Sequence, residues 1–344
     1  MKIAFISPLE ESVPPEKYGG VELVIFNLVE ALVDRGHEIF LLGTGDSKTK
    51  AHLIPVFSEA IRKDKQFLDP EFKQAAKFVG VGRVLDELAK LDVDIVHNHI
   101  GWRLIPFSKH IKAPIVTTLH GPLEKAQQQY IYGLYSDLPY VSISNAQREP
   151  FKKLNFVATI YNGIDPDKFD FIDVAGEYLA FLGRMSPEKG PKVAISVAKK
   201  IGLKLKMAAK IDAVDKEYFE KEIKPLIDGK QIEYLGEIGA EEKNNLLKKA
   251  YALLVPIQWE EPFGLVMIEA MACGTPVIAF RRGSVPEIVV DGQTGFIVKN
   301  EPEMIKAIKR IGSIKREKCR ARVEENFTTK LMADKYEKVY QKLI

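Results

Sequence analysis

Residues 260–269 read EEPFGLVMIE, set between two strand-like runs, ALLVPI (252–257) and PVIAF (276–280). A core helix gains nothing from a carboxylate inside its apolar pattern, because burying a charge is costly. Glu261 and Glu269 therefore ask for a ligand. If a helix runs through the whole stretch, eight residues rise about 12 Å and turn through roughly 80°. The two carboxylates of a glycosidase flank one bond at roughly 5–9.5 Å. The spacing speaks against that pair and for the two ends of an elongated ligand. The helix start, around Pro262 to Leu265, offers free N–H groups and a positive dipole end to phosphate. Glu269 suits the vicinal hydroxyls of a ribose, both of which can donate to it. Glu261 then lies near whatever the diphosphate carries. Plainer roles stand beside these: helix-start electrostatics for Glu261 and a partly exposed helix face for Glu269.

Around this stretch, short β-rich runs alternate with longer helical patterns. KIAFIS (2–7), EIFLLG (38–43), DIVHNH (94–99), PIVTTLH (114–120), YVSIS (140–144) and ATIYN (158–162) read as strands, and VELVIFNLVEALVDRG (21–36) as a helix. The alternation predicts an α/β fold with parallel sheets and helices on both faces. It pauses at NGIDPDKFDFIDVAGE (162–177), which has no helical period and reads as an interdomain linker. It then resumes with EYLAFLG, LKLKMAA, IEYLGE, ALLVPI and PVIAF as strands. PKVAISVAKKIG, KEYFEKEIKPLI (216–227), AEEKNNLLKKAY and the opening stretch read as helices. In the tail, Met332, Tyr336, Val339, Tyr340 and Leu343 fall at helical spacing. The expected boundaries are an N-terminal domain over 1–165, a C-terminal domain over 166–327, and a helix over 328–344 crossing back to the first domain. Ligands of such sheets bind beyond the carboxyl ends of the strands, so two domains with those ends facing would share one cleft.

Composition narrows the function classes. The 344 residues suit two domains, and 46% apolar with 28% charged residues is the balance of a globular chain. With 50 basic against 47 acidic residues, the net charge of +3 gives no electrostatic case for nucleic acid. The two cysteines, Cys273 and Cys319, form no CxxC pair, so a reducing, cytoplasmic compartment fits. No run of 18 apolar residues predicts a membrane span. Arg62, Lys63, Lys65, Lys73 and Lys77 cluster around Phe67, Phe72 and Phe78. They read as a solvated face over buried aromatics, with peripheral contact at the inner face of a membrane left open.

Four further constellations carry chemistry. YGGVE (18–22) places Gly19 and Gly20 before the first helix, where the backbone can approach a phosphate closely, unless it is a plain loop. GRMSPEKG (183–190) brings Arg184 and Lys189 to a strand-end loop, two fixed cations that suit a diphosphate, or a solvated basic loop. His120, ending PIVTTLH, suits hydrogen bonds to sugar hydroxyls. His97 and His99 share one strand face, with the deeper His97 reading as core. No HExxH motif or cysteine ligand supports a metal at these histidines. GTGDSK (43–48) and GVGRVL (80–85) miss the dinucleotide fingerprint, GxxxxGK[ST] and GxSxG are absent, and DVD (92–94) precedes its strand, at the wrong end for a ligand.

EPFGLVMIE resembles the E-x7-E motif of the family 4 retaining glycosyltransferases of the GT-B fold. AMACGTPVIAFRRGSVPEIVVDGQTGFIV, GRMSPEKG, YNGID, TLHG and YGG are similar to that family's motifs in order and spacing, over almost the whole chain. The resemblance implies two Rossmann-like domains, a nucleotide-sugar donor held mainly by the second, and no metal or cofactor. It implies that Arg184 and Lys189 bind the diphosphate, Glu269 binds the ribose, and Glu261 with the backbone of Phe263, Gly264, Leu265 and Val266 contacts the donor sugar and phosphates. His120 would sit near the reacting sugar, and Gly19 and Gly20 would close over the phosphates. Many members carry paired glycines where this chain has Gly283-Ser284. The expected activity is metal-independent transfer of a hexose-type sugar, with retention, from a UDP-, GDP- or ADP-sugar to an acceptor hydroxyl on a polysaccharide, lipid or small molecule. A nucleotide-sugar epimerase, a pyridoxal-bearing phosphorylase and a non-catalytic donor-binding subunit are the competing readings.

Overall fold

The computed structural model describes residues 1–17 and 19–344, the side chains of Leu68 and Pro70 excepted. The chain divides into two units: Met1–Gly163 with Thr329–Ile344, and Ile164–Thr328. Unit 1 carries β1 (Lys2–Ile6), β2 (Glu38–Thr44), β3 (His52–Phe57), β4 (Ile95–Asn98), β5 (Ile115–Thr118), β6 (Tyr140–Ser142) and β7 (Phe156–Thr159). Unit 2 carries β8 (Tyr178–Arg184), β9 (Lys204–Lys210), β10 (Ile232–Gly236), β11 (Ala250–Val255), β12 (Val277–Phe280) and β13 (Gly295–Val298).

Every strand pair is parallel. The orders are β3-β2-β1-β4-β5-β6-β7 and β10-β9-β8-β11-β12-β13. Each is the Rossmann arrangement, in which the winding reverses once, between β1 and β4 in unit 1 and between β8 and β11 in unit 2. The sequence dictates this directly. Central strands such as β1, β11 and β12 are apolar along nearly their whole length and largely buried on both faces, as a sheet covered by helices requires.

Several sequence expectations are corrected. β3 and β13 were not foreseen as strands. Both are edge strands, and β3 carries Pro55, which a central position would not tolerate. KEYFEKEIKPLI is helical over 216–226, but its winding changes from α at Lys216–Tyr218 to π at Phe219–Ile223 and 3-10 at Lys224–Leu226, with Pro225 withholding its N–H. Phe72 and Phe78, expected to be buried, are exposed on the helix Pro70–Leu88. Lys63 pairs with Glu16 and Asp46, and Lys77 with Glu10. Cys273 and Cys319 are buried free thiols, and burial pushes each up to about 12. Among the described residues, no helix is long and apolar enough to cross a membrane.

In unit 1 the helix Thr329–Leu343 buries Met332, Tyr336, Val339 and Tyr340. Its polar atoms reach the sheet. Tyr340 OH lies 2.7 Å from His97 Nδ1, His97 Nε2 lies 2.7 Å from Thr118 Oγ1, and that hydroxyl lies 2.9 Å from Tyr336 OH. Glu337 adds an ion pair to Arg35 and a 2.8 Å contact to His37 Nε2. Ile164 and Thr328 are bridged in parallel, so the chain enters and leaves unit 2 side by side.

In unit 2, Gly190 joins the turn after β8 to the helix Pro191–Ile201 at φ +72°. A Cβ there would lie 2.1 Å from the carbonyl oxygen of Pro256, just past β11. Gly190→Ala is therefore expected to cost about 3 kcal/mol or more, from left-handed backbone strain plus a backbone clash. Urea unfolding of wild type and variant measures it.

Burial holds His97 and His99 well below the ordinary histidine range, and lowers His120 to about 4. The unfolded chain takes up protons below about 6.5 that the folded chain refuses, so stability falls as pH drops from 7 toward 5. Glu22 opposes this. Burial, with Glu10 and Glu11 nearby, raises its carboxyl to about 7, so the folded chain binds its proton first. Three histidines outweigh one carboxyl. The unfolding midpoint is expected to be lower at pH 5 than at pH 7, and the fall to be steeper in Glu22→Gln.

Candidate functional site

The carboxyl end of β8 delivers Arg184, in register with Lys210 at the end of β9. The Arg184 guanidinium pairs with Glu188 and faces Asp212 at 3.6 Å and Asp215 at 3.9 Å. Burial raises the Asp215 carboxyl, against the pull of Arg184. Lys210 is buried and reaches Asp212 at 2.5 Å. Past β8, the turn Pro187–Lys189 is tied to the end of β11 by a 2.7 Å bond from Gln258 N to Glu188 O. This places Lys189 at the switch point of the sheet.

Lys189 Nζ donates to the Glu261 carboxylate and lies 5.0 Å from the centre of the Trp259 ring. Trp259 Nε1 donates to the same carboxylate oxygen at 3.1 Å. Ammonium, carboxylate and indole thus form one mostly buried cluster.

Here the opening expectation is corrected. Glu261 does not lie on the helix that carries Glu269. The helix spans Leu265–Ala272, capped by Gly264 at φ +83°, so Pro262, Phe263 and Gly264 form a loop and the 12 Å rise does not apply. Leu265 and Val266 open the helix and are partly exposed. Glu269 is buried and receives a 2.5 Å bond from Lys243 on the helix Ala240–Lys248, which removes the exposed-face alternative.

The loop is pinned from below. Ser284 N donates to Glu261 O at 2.9 Å, and Ser284 Oγ donates to Phe263 O at 2.7 Å. Gly283 sits at φ +49°, where a Cβ would lie 2.2 Å from Glu261 O. The serine that departs from the paired-glycine pattern is fully buried, and its hydroxyl turns into the protein.

Unit 1 presents a second group. Gly19 caps and Gly20 opens the helix Gly20–Asp34, while Tyr18, the first residue of YGGVE, lies outside the described residues. His99 and His120 follow β4 and β5, and His99 Nδ1 lies 2.8 Å from His120 Nε2. Both ring nitrogens of His97 are taken by hydroxyls, which makes it a satisfied core residue. Among the described residues, no group of three or more His, Cys, Asp or Glu side chains is placed to hold a metal ion.

Trp259, Lys243, Lys210, Asp212, Asp215 and the His99 contact escaped the sequence reading. Only the aromatic within two residues of Glu261 left a local signal.

A family model described as Glycosyl transferases group 1 matches residues 167–329, and one described as Glycosyltransferase Family 4 matches residues 18–168. An uncharacterized glycosyltransferase of Methanocaldococcus jannaschii is 29% identical, covering 94% of this chain and 95% of its own. Among solved structures, a sucrose-phosphate synthase from Thermosynechococcus elongatus superposes with a TM-score of 0.83 at 20% identity, over 99% of this chain and 98% of that one. HepE of Anabaena, solved with UDP-glucose, superposes at 0.78 with 18% identity over the full length of both chains. At these identities the two structures speak for the fold. With two matched halves that together span residues 18–329, the chain belongs to the family 4 glycosyltransferases and has their GT-B fold.

Proposed function

We propose that this glycosyltransferase moves a hexose-type sugar, with retention, from a nucleoside diphosphate sugar to an acceptor hydroxyl without a metal ion. One observation carries the reading. Lys189, Glu261 and Trp259 gather beside a glycine-capped helix start, at the switch point where Rossmann sheets bind ligands. A diphosphate at that helix start meets N–H groups and the positive end of the dipole. Arg184 and Lys189 neutralise the charge that builds on the leaving phosphate, a role a metal would otherwise fill. Glu269 accepts from the ribose hydroxyls, and Glu261 and the backbone of Phe263 to Val266 face the donor sugar and phosphates. Within unit 1, Gly19 and Gly20 are assigned close backbone approach to phosphate, and His120 a hydrogen bond donated to a sugar hydroxyl. With no side chain assigned as nucleophile, the leaving phosphate itself takes the acceptor proton at the same face. The UDP-glucose held by HepE makes uridine donors the first to try.

A thermal-shift panel of UDP-, GDP- and ADP-sugars tests donor binding, since a ligand specific to the folded chain raises its midpoint by mass action. One nucleotide class is expected to stand out, and a flat panel would count against the reading. Lys189→Ala and Glu261→Gln are each expected to lower transfer by about a hundredfold or more while far-UV circular dichroism stays as in wild type. Transfer at the wild-type rate in both would sink the residue assignment.

A further inference from the structure

We propose that His99 is a positioning residue that fixes the tautomer of His120, so that His120 presents an Nδ1–H donor to its ligand at neutral pH. The inference deepens the proposed function, since it rests on His120 meeting a sugar hydroxyl.

The argument begins with one shared proton. His99 Nδ1 and His120 Nε2 stand 2.8 Å apart, and two neutral imidazoles can place only one proton on that line. Both rings are held neutral by burial. Two arrangements remain. In one, His99 Nδ1–H donates to His120 Nε2, and His120 must carry its own proton on Nδ1. In the other, His120 Nε2–H donates to His99 Nδ1, and His99 must carry its proton on Nε2.

The surroundings of His99 decide between them. Its Nε2 is buried, and among the described residues no partner reaches it. The ring is fixed there: it stacks on Phe5 at 5.6 Å and 14°, and lies 4.0 Å from the His97 ring. His97 spends its own nitrogens on Thr118 and Tyr340 and has none to offer. The second arrangement would bury an N–H without an acceptor, the rarer and costlier kind of orphan. The first buries only a lone pair. The proton therefore sits on His99 Nδ1, and His120 is driven to the Nδ1–H form. His120 is partly exposed, and among the described residues no hydrogen bond engages that nitrogen.

Long-range 15N–1H correlation spectra of the full chain, labelled at histidine nitrogens, report tautomers directly. His120 is expected as the Nδ1–H form in wild type at pH 7.5. In His99→Phe, which keeps an aromatic ring against Phe5, His120 is expected to shift toward the Nε2–H form or a mixture. His99→Asn restores a donor at the Nδ1 position and is expected to restore the wild-type pattern. In parallel, release of UDP from UDP-glucose is expected to show kcat lower by about tenfold or more in His99→Phe with little change in KM, recovering in His99→Asn. A wild-type His120 in the Nε2–H form, or a His120 tautomer unmoved by His99→Phe, would overturn the inference. Unchanged UDP release in His120→Ala would instead overturn the functional role of His120 and leave the tautomer result standing.

Discussion

The approach of Gly190 to the carbonyl of Pro256 is the constraint on which unit 2 depends. The winding of the sheet reverses between β8 and β11, leaving a crevice at their carboxyl ends. Only a residue without Cβ lets the turn after β8 settle into contact with the end of β11. That contact sets where Lys189 emerges, one residue earlier. Trp259 and Glu261, three and five residues past Pro256, follow on the other side. Ser284 and Gly283 then hold the Glu261 loop from beneath. The cluster is thus the meeting point of three loops fixed by backbone contacts.

The charges of unit 2's candidate residues are partnered: Lys189 with Glu261, Lys243 with Glu269, and Arg184 with Glu188, with Asp212 and Asp215 also facing it. A buried charge without a partner would be expensive, so pairing lets the fold keep ionic groups at the switch point. It also bears on the proposed ligand. A diphosphate must share Arg184 with Glu188, Asp212 and Asp215, and Lys189 with Glu261, and its two charges let it compete better than a single one would. A neutral sugar or a monoanion gains less from the same exchange. Under the proposed function, self-pairing is thus a filter that favours the nucleoside diphosphate over weaker anions.

The parallel sheets were legible because central strands such as KIAFIS and ALLVPI must be apolar on both faces. The terminal helix was legible because Met332, Tyr336, Val339 and Tyr340 repeat at helical spacing. The edge strands β3 and β13 were not, since a partner on one side only leaves room for Pro55 and for the short GFIV run. EEPFGLVMIE misled for a physical reason. A proline and a phenylalanine are compatible with a first helical turn, and only the positive φ of Gly264 shows that the chain bends before the helix starts. Glu261 could be picked out as a residue, but its partner Lys189 lies 72 positions away, and Lys243 lies 26 from Glu269. Local periodicity carries no information on such pairs.

Unit 1 ties its architecture to its chemistry through histidines kept neutral. The helix Thr329–Leu343 does more than cover an apolar face. Tyr340 and Tyr336 hold His97 and Thr118 at the ends of β4 and β5, two residues before His99 and His120. A neutral His97, locked between two hydroxyls, gives the His99 ring a fixed, uncharged wall. A protonated His97 would repel a proton from both neighbouring histidines. Burial excludes that state near neutral pH, so the proton between His99 and His120 is governed by hydrogen-bond geometry alone. Under the proposed role of His120, Tyr336, 218 residues from Thr118, in this way helps to set the face that His120 would offer to a sugar hydroxyl.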